Sequence, residues 1–151
     1  MNLTIAQAAL TQYDLPNAEL TFLGQSQNTT FRVDTPSGDQ FLLRLHYGIE
    51  AADDASQEVW RQPSAIESEL LWLNAIAHDT DLVVPQPMQN RVGSWVTRVG
   101  VELNASISCS LLRWVEGRSL DGEPTAAQAC QLGSLKLITR CFSRPLHRYK
   151  N

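Results

Sequence analysis

Apolar and polar residues alternate early in the chain, a pattern typical of strands that bury one face of a sheet. Phe31 and Val33 alternate with polar neighbours, and residues 36–39, Pro-Ser-Gly-Asp, have the composition of a tight turn. Because an apolar stretch resumes at Phe41, these two segments are predicted to form a hairpin. The complete set of predicted strands covers residues 19–23, 28–34, 40–46, 88–91, 94–98 and 106–114.

Capping boxes mark three helix starts, because a hydroxyl residue and an acid or amide three positions later satisfy free backbone N–H groups. The helices are predicted to end near residue 13, near residue 78 and no earlier than residue 135. The order α, β, β, β, α, β, β, β, α predicts an α+β fold with an antiparallel sheet of five to six strands and a packed helix. The boxes are Thr4 with Gln7, Ser64 with Glu67, and Thr125 with Gln128.

The chain of 151 residues has room for one domain with a hydrophobic core. No apolar run approaches the roughly 18–20 residues of a membrane-spanning helix, and the N-terminus has no basic segment followed by a long apolar one. Cys109, Cys130 and Cys141 lack metal-ligand spacing and are predicted to be reduced thiols. We therefore expect a cytoplasmic protein that does not bind membranes.

The formal net charge of −4 conceals a division along the chain. Residues 1–135 contain 7 arginines, no lysine and all 16 acidic residues, whereas residues 136–151 contain 5 basic residues and no acidic one. A basic tail that binds RNA or an acidic lipid surface is one interpretation. Five charges without interleaved aromatic residues are a weak electrostatic footprint, so no nucleic-acid partner is expected.

Arg44 places a permanent positive charge in a strand that is otherwise largely apolar. A buried guanidinium needs a carboxylate or a phosphate as its partner, although an arginine on an edge strand could instead face water. In the helix that is predicted to open at Ser64, Ile66, Leu70, Leu73 and Ala77 form the buried stripe. Glu69 lies beside this stripe, one turn further into the helix.

Glu67 is a second acidic residue of this helix. It stands at the third helical position of the predicted helix, where its side chain is better placed to cap the helix. A further interpretation is that Glu67 and Glu69 are both solvated surface acids.

Two segments carry a family resemblance. Residues 23–46 read L-G-Q-S-Q-N-T-T-F-R-V-D-T-P-S-G-D-Q-F-L-L-R-L-H, and residues 110–120 read S-L-L-R-W-V-E-G-R-S-L. With the spacing between them, they resemble the aminoglycoside phosphotransferase family, which includes kinases for choline, homoserine and similar hydroxyl substrates. The resemblance covers about residues 13–135. It implies the N-terminal lobe of a protein-kinase-like fold and the binding of ATP.

The resemblance also implies roles for single residues. In kinase-like folds a basic residue on the third strand contacts the α- and β-phosphates and pairs with a helix glutamate. The resemblance therefore implies that Arg44 pairs with Glu69, with Glu67 as the alternative partner. The phosphate loop of the family is polar and poor in glycine, which matches Ser26, Asn28 and Thr29. An ordinary polar β-turn explains those three residues equally well.

The second segment resembles the hinge of the family, where main-chain groups bond the edge of adenine. The residues that correspond to it are Arg113, Trp114 and Val115, and Gly117 would turn the chain toward the second lobe. The alternative interpretation is a core strand that simply ends in a glycine turn.

The resemblance fails toward the end of the sequence. The family holds its catalytic aspartate and its magnesium ligands in an H-G-D-x-x-x-x-N loop and a later aspartate. No acidic residue follows Glu123 and no histidine precedes Gly-Asp, so no catalytic residue and no metal ligand is predicted here. We expect a lobe with its hinge at 1–120, the start of the next helix at 121–135 and an aberrant basic tail at 136–151. The expected product is a truncated, inactive fragment that binds ATP weakly or not at all.

Two other functions fit the same sequence. One is a non-enzymatic α+β interaction module, and the other is a regulatory fragment that docks on a full-length relative. An exposed lobe face is expected to be apolar, which favours self-association or binding to a full-length homologue through that face, in addition to the nucleotide.

Overall fold

A computed structural model describes residues 2–26, 28–46, 62–102, 105–117, 123 and 125–128. The chain divides into two compact units, Met1–Val115 and Glu116–Asn151. The predicted basic tail and the predicted continuation of the third helix to residue 135 lie outside the described residues. The elements of the first unit are α1 (Asn2–Leu10), β1 (Glu19–Gln25), β2 (Thr29–Asp34), β3 (Gln40–His46), α2 (Pro63–Asp79), β4 (Pro87–Met88), β5 (Thr97–Glu102) and β6 (Ala105–Arg113).

The six strands form one antiparallel sheet, in which β1, β2, β3, β6 and β4 are neighbours in that order and β5 also pairs with β6. The predicted fold class is confirmed, the described elements from α1 to β6 follow the predicted order, and β3 has the predicted bounds. The sequence placed β4 and β5 less well, because β4 has only two residues and β5 begins three residues later than predicted. Among the described helices, none is long and apolar enough to cross a membrane.

The sheet has two faces, and the alternation along its central strands determines which residue lies on which face. The core face carries the main hydrophobic cluster, in which α1 packs through Ile5, Ala6 and Ala9. The opposite face carries Arg44, and we call it the Arg44 face. The strand residues of the core face include Phe31 and Val33 of β2, Phe41, Leu43 and Leu45 of β3, and Cys109 and Leu111 of β6.

The helix α2 packs on the sheet through a second, smaller cluster. Ile66 and Leu70 contact Leu112 of β6, which lies on the Arg44 face. Of the predicted stripe, Ile66 and Leu70 are fully buried and Leu73 and Ala77 are half-buried, while Ile76 is buried in addition. This packing holds α2 against β6, the strand that neighbours the one with Arg44.

Two of the predicted helix starts are wrong. The helix α1 begins at Asn2, so Thr4 lies within its first turn. The helix α2 begins at Pro63 and follows an extended Gln62 without a side-chain cap. Proline suits the first helical position because the N–H that it lacks has no partner there. The third box is confirmed, since Thr125 and Gln128 exchange hydrogen bonds between side chains and backbone N–H groups at 2.8 and 3.3 Å.

Candidate functional site

The site is built around an ion pair between β3 and α2. Arg44 Nη1 lies 2.9 Å from Glu69 Oε1, with the arginine side chain 16% exposed and the glutamate 44% exposed. The spacing in the helix explains the choice of partner, because Glu69 lies one turn after Ile66, on the side of α2 that packs against the sheet. Glu67, the alternative partner, is exposed. The predicted contact between Arg44 and Glu69 is therefore present.

The guanidinium of Arg44 is held by a second strand as well. Its Nε donates to Ser110 Oγ on β6 at 3.3 Å, and Ser110 Oγ lies 2.9 Å from His46 Nε2. The remaining nitrogen, Nη2, is buried and has no hydrogen-bond partner among the described residues. A buried charged donor without an acceptor is costly, so this nitrogen fits an anion with oxygen acceptors, such as a phosphate.

Antiparallel pairing aligns Arg44 with residues of the neighbouring strands, which form a row across the sheet. Arg44 is directly opposite Thr30 of β2 and Ser110 of β6, and Thr30 is opposite Gly24 of β1. The Thr30 hydroxyl donates to the Gly24 carbonyl at 3.2 Å. Thr30 was not predicted as a site residue, but the parity of the hairpin register indicates that it shares a face with Arg44.

The position of Thr29 requires a correction. Thr29 is opposite Leu45, so its fully buried side chain belongs to the core face. A hydroxyl on that face cannot reach a phosphate held by Arg44 on the other. We therefore replace the Thr29 side chain by that of Thr30 in the candidate site.

The other two residues predicted for the phosphate loop lie between β1 and β2. Ser26 is exposed, Asn28 is half-buried, and the Ser26 N–H donates to the Asn28 carbonyl at 3.0 Å. This short connection stands at the end of the hairpin that carries Thr30, so Ser26 and Asn28 stay predicted phosphate contacts.

The residues predicted to form the hinge are partly engaged in contacts within the sheet. The Arg113 N–H donates to the Gln86 carbonyl at 2.7 Å, and the Trp114 N–H donates to the Gln40 carbonyl at 3.0 Å, so both donors are engaged. Arg113 is opposite Phe41, and its guanidinium lies 5.8 Å from that ring, which assigns its side chain to the core face. The Arg113 side chain therefore does not contribute to the Arg44 face, while Arg113, Trp114 and Val115 stay predicted neighbours of adenine.

The Trp114 ring lies beside a second cation. The Arg32 guanidinium is 5.6 Å from the centre of this ring and is oriented by Asp34 Oδ1, at 2.9 Å from Nε and 2.7 Å from Nη2. Gln40 Nε2 donates to the same carboxylate oxygen at 3.1 Å. This arrangement fixes a flat aromatic and guanidinium surface at the end of the sheet where β3 begins.

Leu42 separates this aromatic end from Arg44. It is half-buried on the Arg44 face, opposite Arg32 of β2 and Leu112 of β6. From Gln40 to Arg44, β3 rises by roughly 14 Å. One face therefore presents an aromatic end, an apolar middle and a cationic end over a length comparable to an extended nucleoside triphosphate.

No magnesium site accompanies these residues in the part of the chain that the structure describes. There, no group of three His, Cys, Asp or Glu side chains is arranged to hold a metal ion. The described residues of the site offer a cation and hydroxyls to a phosphate chain. They do not offer the carboxylate cluster that phosphoryl transfer requires.

His46 makes the stability of this lobe depend on pH. Burial, followed by the charge of Arg44, lowers the pKa of His46 from 6.5 to about 4, while Glu69 acts in the opposite direction. Below pH 6.5, His46 becomes protonated in the unfolded chain but stays neutral in the folded chain. The folded state therefore loses stability as the pH falls. From pH 6.5 to about pH 5, we expect this group to lower the free energy of unfolding by about 1.5 kcal/mol.

Urea unfolding at the two pH values measures this loss. In His46→Gln the extra pH dependence should disappear, whereas the variant of an exposed histidine, His78→Gln, should keep it. Equal pH dependence in the wild type and His46→Gln would show that His46 is not the group responsible.

Comparisons with solved structures agree with the fold described above. No family model and no curated protein matches the sequence. A microcompartment-associated aminopropanol kinase has a similar structure, with a TM-score of 0.69 and 32% identity over 99% of this chain. An amicoumacin kinase in complex with AMP-PNP, Ca2+ and Ami shares the fold, with a TM-score of 0.61 and 17% identity over 79% of this chain.

This chain spans 44% of the aminopropanol kinase and 32% of the amicoumacin kinase. Both neighbours are small-molecule kinases, and the matched part has the antiparallel sheet and packed helix described above. The resemblance to kinases of the aminoglycoside phosphotransferase type is therefore confirmed.

Proposed function

We propose that this chain, a lobe of the aminoglycoside phosphotransferase type of kinase, binds ATP on the Arg44 face of its sheet. The observation that carries the proposal is the Arg44–Glu69 ion pair of 2.9 Å between the third strand and the packed helix. In kinase-like folds this pair positions the cation that binds the α- and β-phosphates.

The remaining residues of the face are assigned from their order along the sheet. Arg44, Thr30 and the connection with Ser26 and Asn28 contact the phosphates. Leu42 lies against the base or ribose. Trp114 and Val115 lie at the adenine end, where a flat aromatic surface stabilises a stacked base.

The proposal for these 151 residues is limited to nucleotide binding and does not extend to the kinase activity of the structural neighbours. They contain no H-G-D-x-x-x-x-N loop and no acidic residue after Glu123. Because the catalytic aspartate and the magnesium ligands are missing, we expect no acceptor-dependent ADP production by this chain alone. The acceptor, self-association, docking on a full-length homologue and a cytoplasmic location stay predictions.

Calorimetric titration of the chain with ATP, ADP and adenosine tests the proposal. Hydrogen bonds from a charged donor contribute about 1.5–3 kcal/mol, so adenosine should bind about ten- to hundredfold more weakly than ATP or ADP. Equal affinity for adenosine and ADP would contradict a phosphate site at Arg44. Failure of every nucleotide to bind at millimolar concentration would favour the non-enzymatic interaction module.

A further inference from the structure

The orientation of Arg44 is controlled from two sides of its strand. Glu69 on α2 holds Nη1 at 2.9 Å, and Ser110 on β6 holds Nε at 3.3 Å. Because the guanidinium is planar, fixing two of its nitrogens also fixes the direction of the third. Without Ser110, the group could rotate about the single contact with the half-exposed carboxylate.

The hydroxyl of Ser110 is completely buried, which restricts its hydrogen bonds. Arg44 Nε has no lone pair to offer, so Ser110 Oγ must accept from it. Among the described residues, the hydroxyl hydrogen then has His46 Nε2, at 2.9 Å, as its acceptor. To accept this hydrogen at Nε2, His46 must be neutral and carry its proton on Nδ1.

The charges around His46 agree with this protonation state. Burial and the neighbouring Arg44 both disfavour the imidazolium, and they outweigh the opposite effect of Glu69. A protonated His46 would present a second positive charge to Arg44 and would remove the acceptor of the Ser110 hydrogen.

We propose that Ser110 is a positioning residue for Arg44: its oxygen holds Nε and its hydrogen is donated to neutral His46, which keeps the guanidinium directed toward bound phosphates. The proposal rests on the proposed function, because it assigns a purpose to Arg44 as a phosphate ligand. The relevant ligand class is any nucleotide with a β-phosphate.

The chain offers a matched control for Ser110. Ser108 is also a buried serine of β6. It lies two residues before Ser110, on the same face of the sheet, and is opposite His46. Removing either hydroxyl as Ser110→Ala or Ser108→Ala deletes one oxygen atom from the same strand. Only the first deletion removes a contact of Arg44.

Titration with ADP and adenosine tests the positioning role. Ser110→Ala should weaken ADP binding about three- to tenfold, the effect of one hydrogen bond, and should leave adenosine affinity unchanged. Ser108→Ala should change neither affinity. An equal loss for ADP and adenosine, an unchanged ADP affinity in Ser110→Ala, or the same ADP loss in Ser108→Ala would each overturn the proposal.

A second readout separates this inference from the proposed function, because it needs no ligand. In NMR spectra of the free protein, the Arg44 Nε–H signal is identified by its disappearance in Arg44→Gln. This proton should exchange with water at least about tenfold faster in Ser110→Ala than in the wild type or in Ser108→Ala. Unchanged exchange would overturn the positioning role, even if ADP binds. Wild-type protein that shows the protected signal but binds no ADP would support the contact and refute the proposed function.

Discussion

Replacing Arg44 by glutamine is expected to lower the affinity for ATP and ADP by about ten- to hundredfold, while adenosine binds as before. The variant removes the positive charge that faces the phosphates and retains a polar side chain of moderate length. Glu69 is 44% exposed, so water can solvate its carboxylate when the cation is lost. Calorimetric titration with the three ligands measures the effect.

Arg91→Gln is the matched control for the loss of a positive charge. Arg91 lies in the turn before β5, with its side chain 59% exposed and 3.7 Å from Asp14. This variant should bind ATP and ADP like the wild type at the same ionic strength. If Arg91→Gln weakens ATP binding as much as Arg44→Gln, binding depends on overall charge and the assignment of Arg44 is wrong.

Phe31→Ala is expected to lower the free energy of unfolding by about 3–5 kcal/mol. Phe31 is 2% exposed and lies in the main cluster of the core face, between the sheet and α1. Truncation removes its buried ring surface and leaves a cavity that the surrounding strands fill only in part. Denaturant unfolding measured by circular dichroism gives the change.

Phe22→Ala separates burial from the aromatic contact itself. Phe22 is 57% exposed, and its ring meets that of Phe31 edge-on at 5.6 Å between centroids. Both variants therefore lose the same ring pair, which contributes about 0.5–1.5 kcal/mol. A loss in Phe22→Ala as large as that in Phe31→Ala would contradict the core assigned to this face.

Short-range patterns in the sequence were sufficient for the hairpin of β2 and β3 and for the buried stripe of α2. The alternation in β2 and β3 and the turn with Gly38, whose φ is 89°, predicted the hairpin correctly. The spacing of Ile66 and Leu70 predicted that Glu69 lies beside the buried stripe, and the family resemblance implied that it pairs with Arg44. These features depend on residues close in sequence or on one helical stripe, and single-sequence reasoning reads such patterns well.

The structure changes the candidate site at positions where the face of a strand decides what a side chain can reach. Thr29 and Thr30 are adjacent hydroxyl residues, and Thr29 has the same parity as the buried Phe31 and Val33, whereas Thr30 shares a face with Arg44. Arg113 was assigned from its position in a motif, although its N–H is engaged by Gln86, far away in sequence. Such long-range pairings have no signal in composition or periodicity.

The central claim is that a nucleotide lies on the Arg44 face, and Leu42 and Leu43 allow a direct test. They are consecutive residues of β3, with Leu42 half-buried on the Arg44 face and Leu43 completely buried on the core face. Methyl NMR of the chain with saturating ATP should show nuclear Overhauser effects from the nucleoside to Leu42 and none to Leu43. Effects at Leu43, or the absence of any at Leu42 when ATP is bound, would contradict the proposed site.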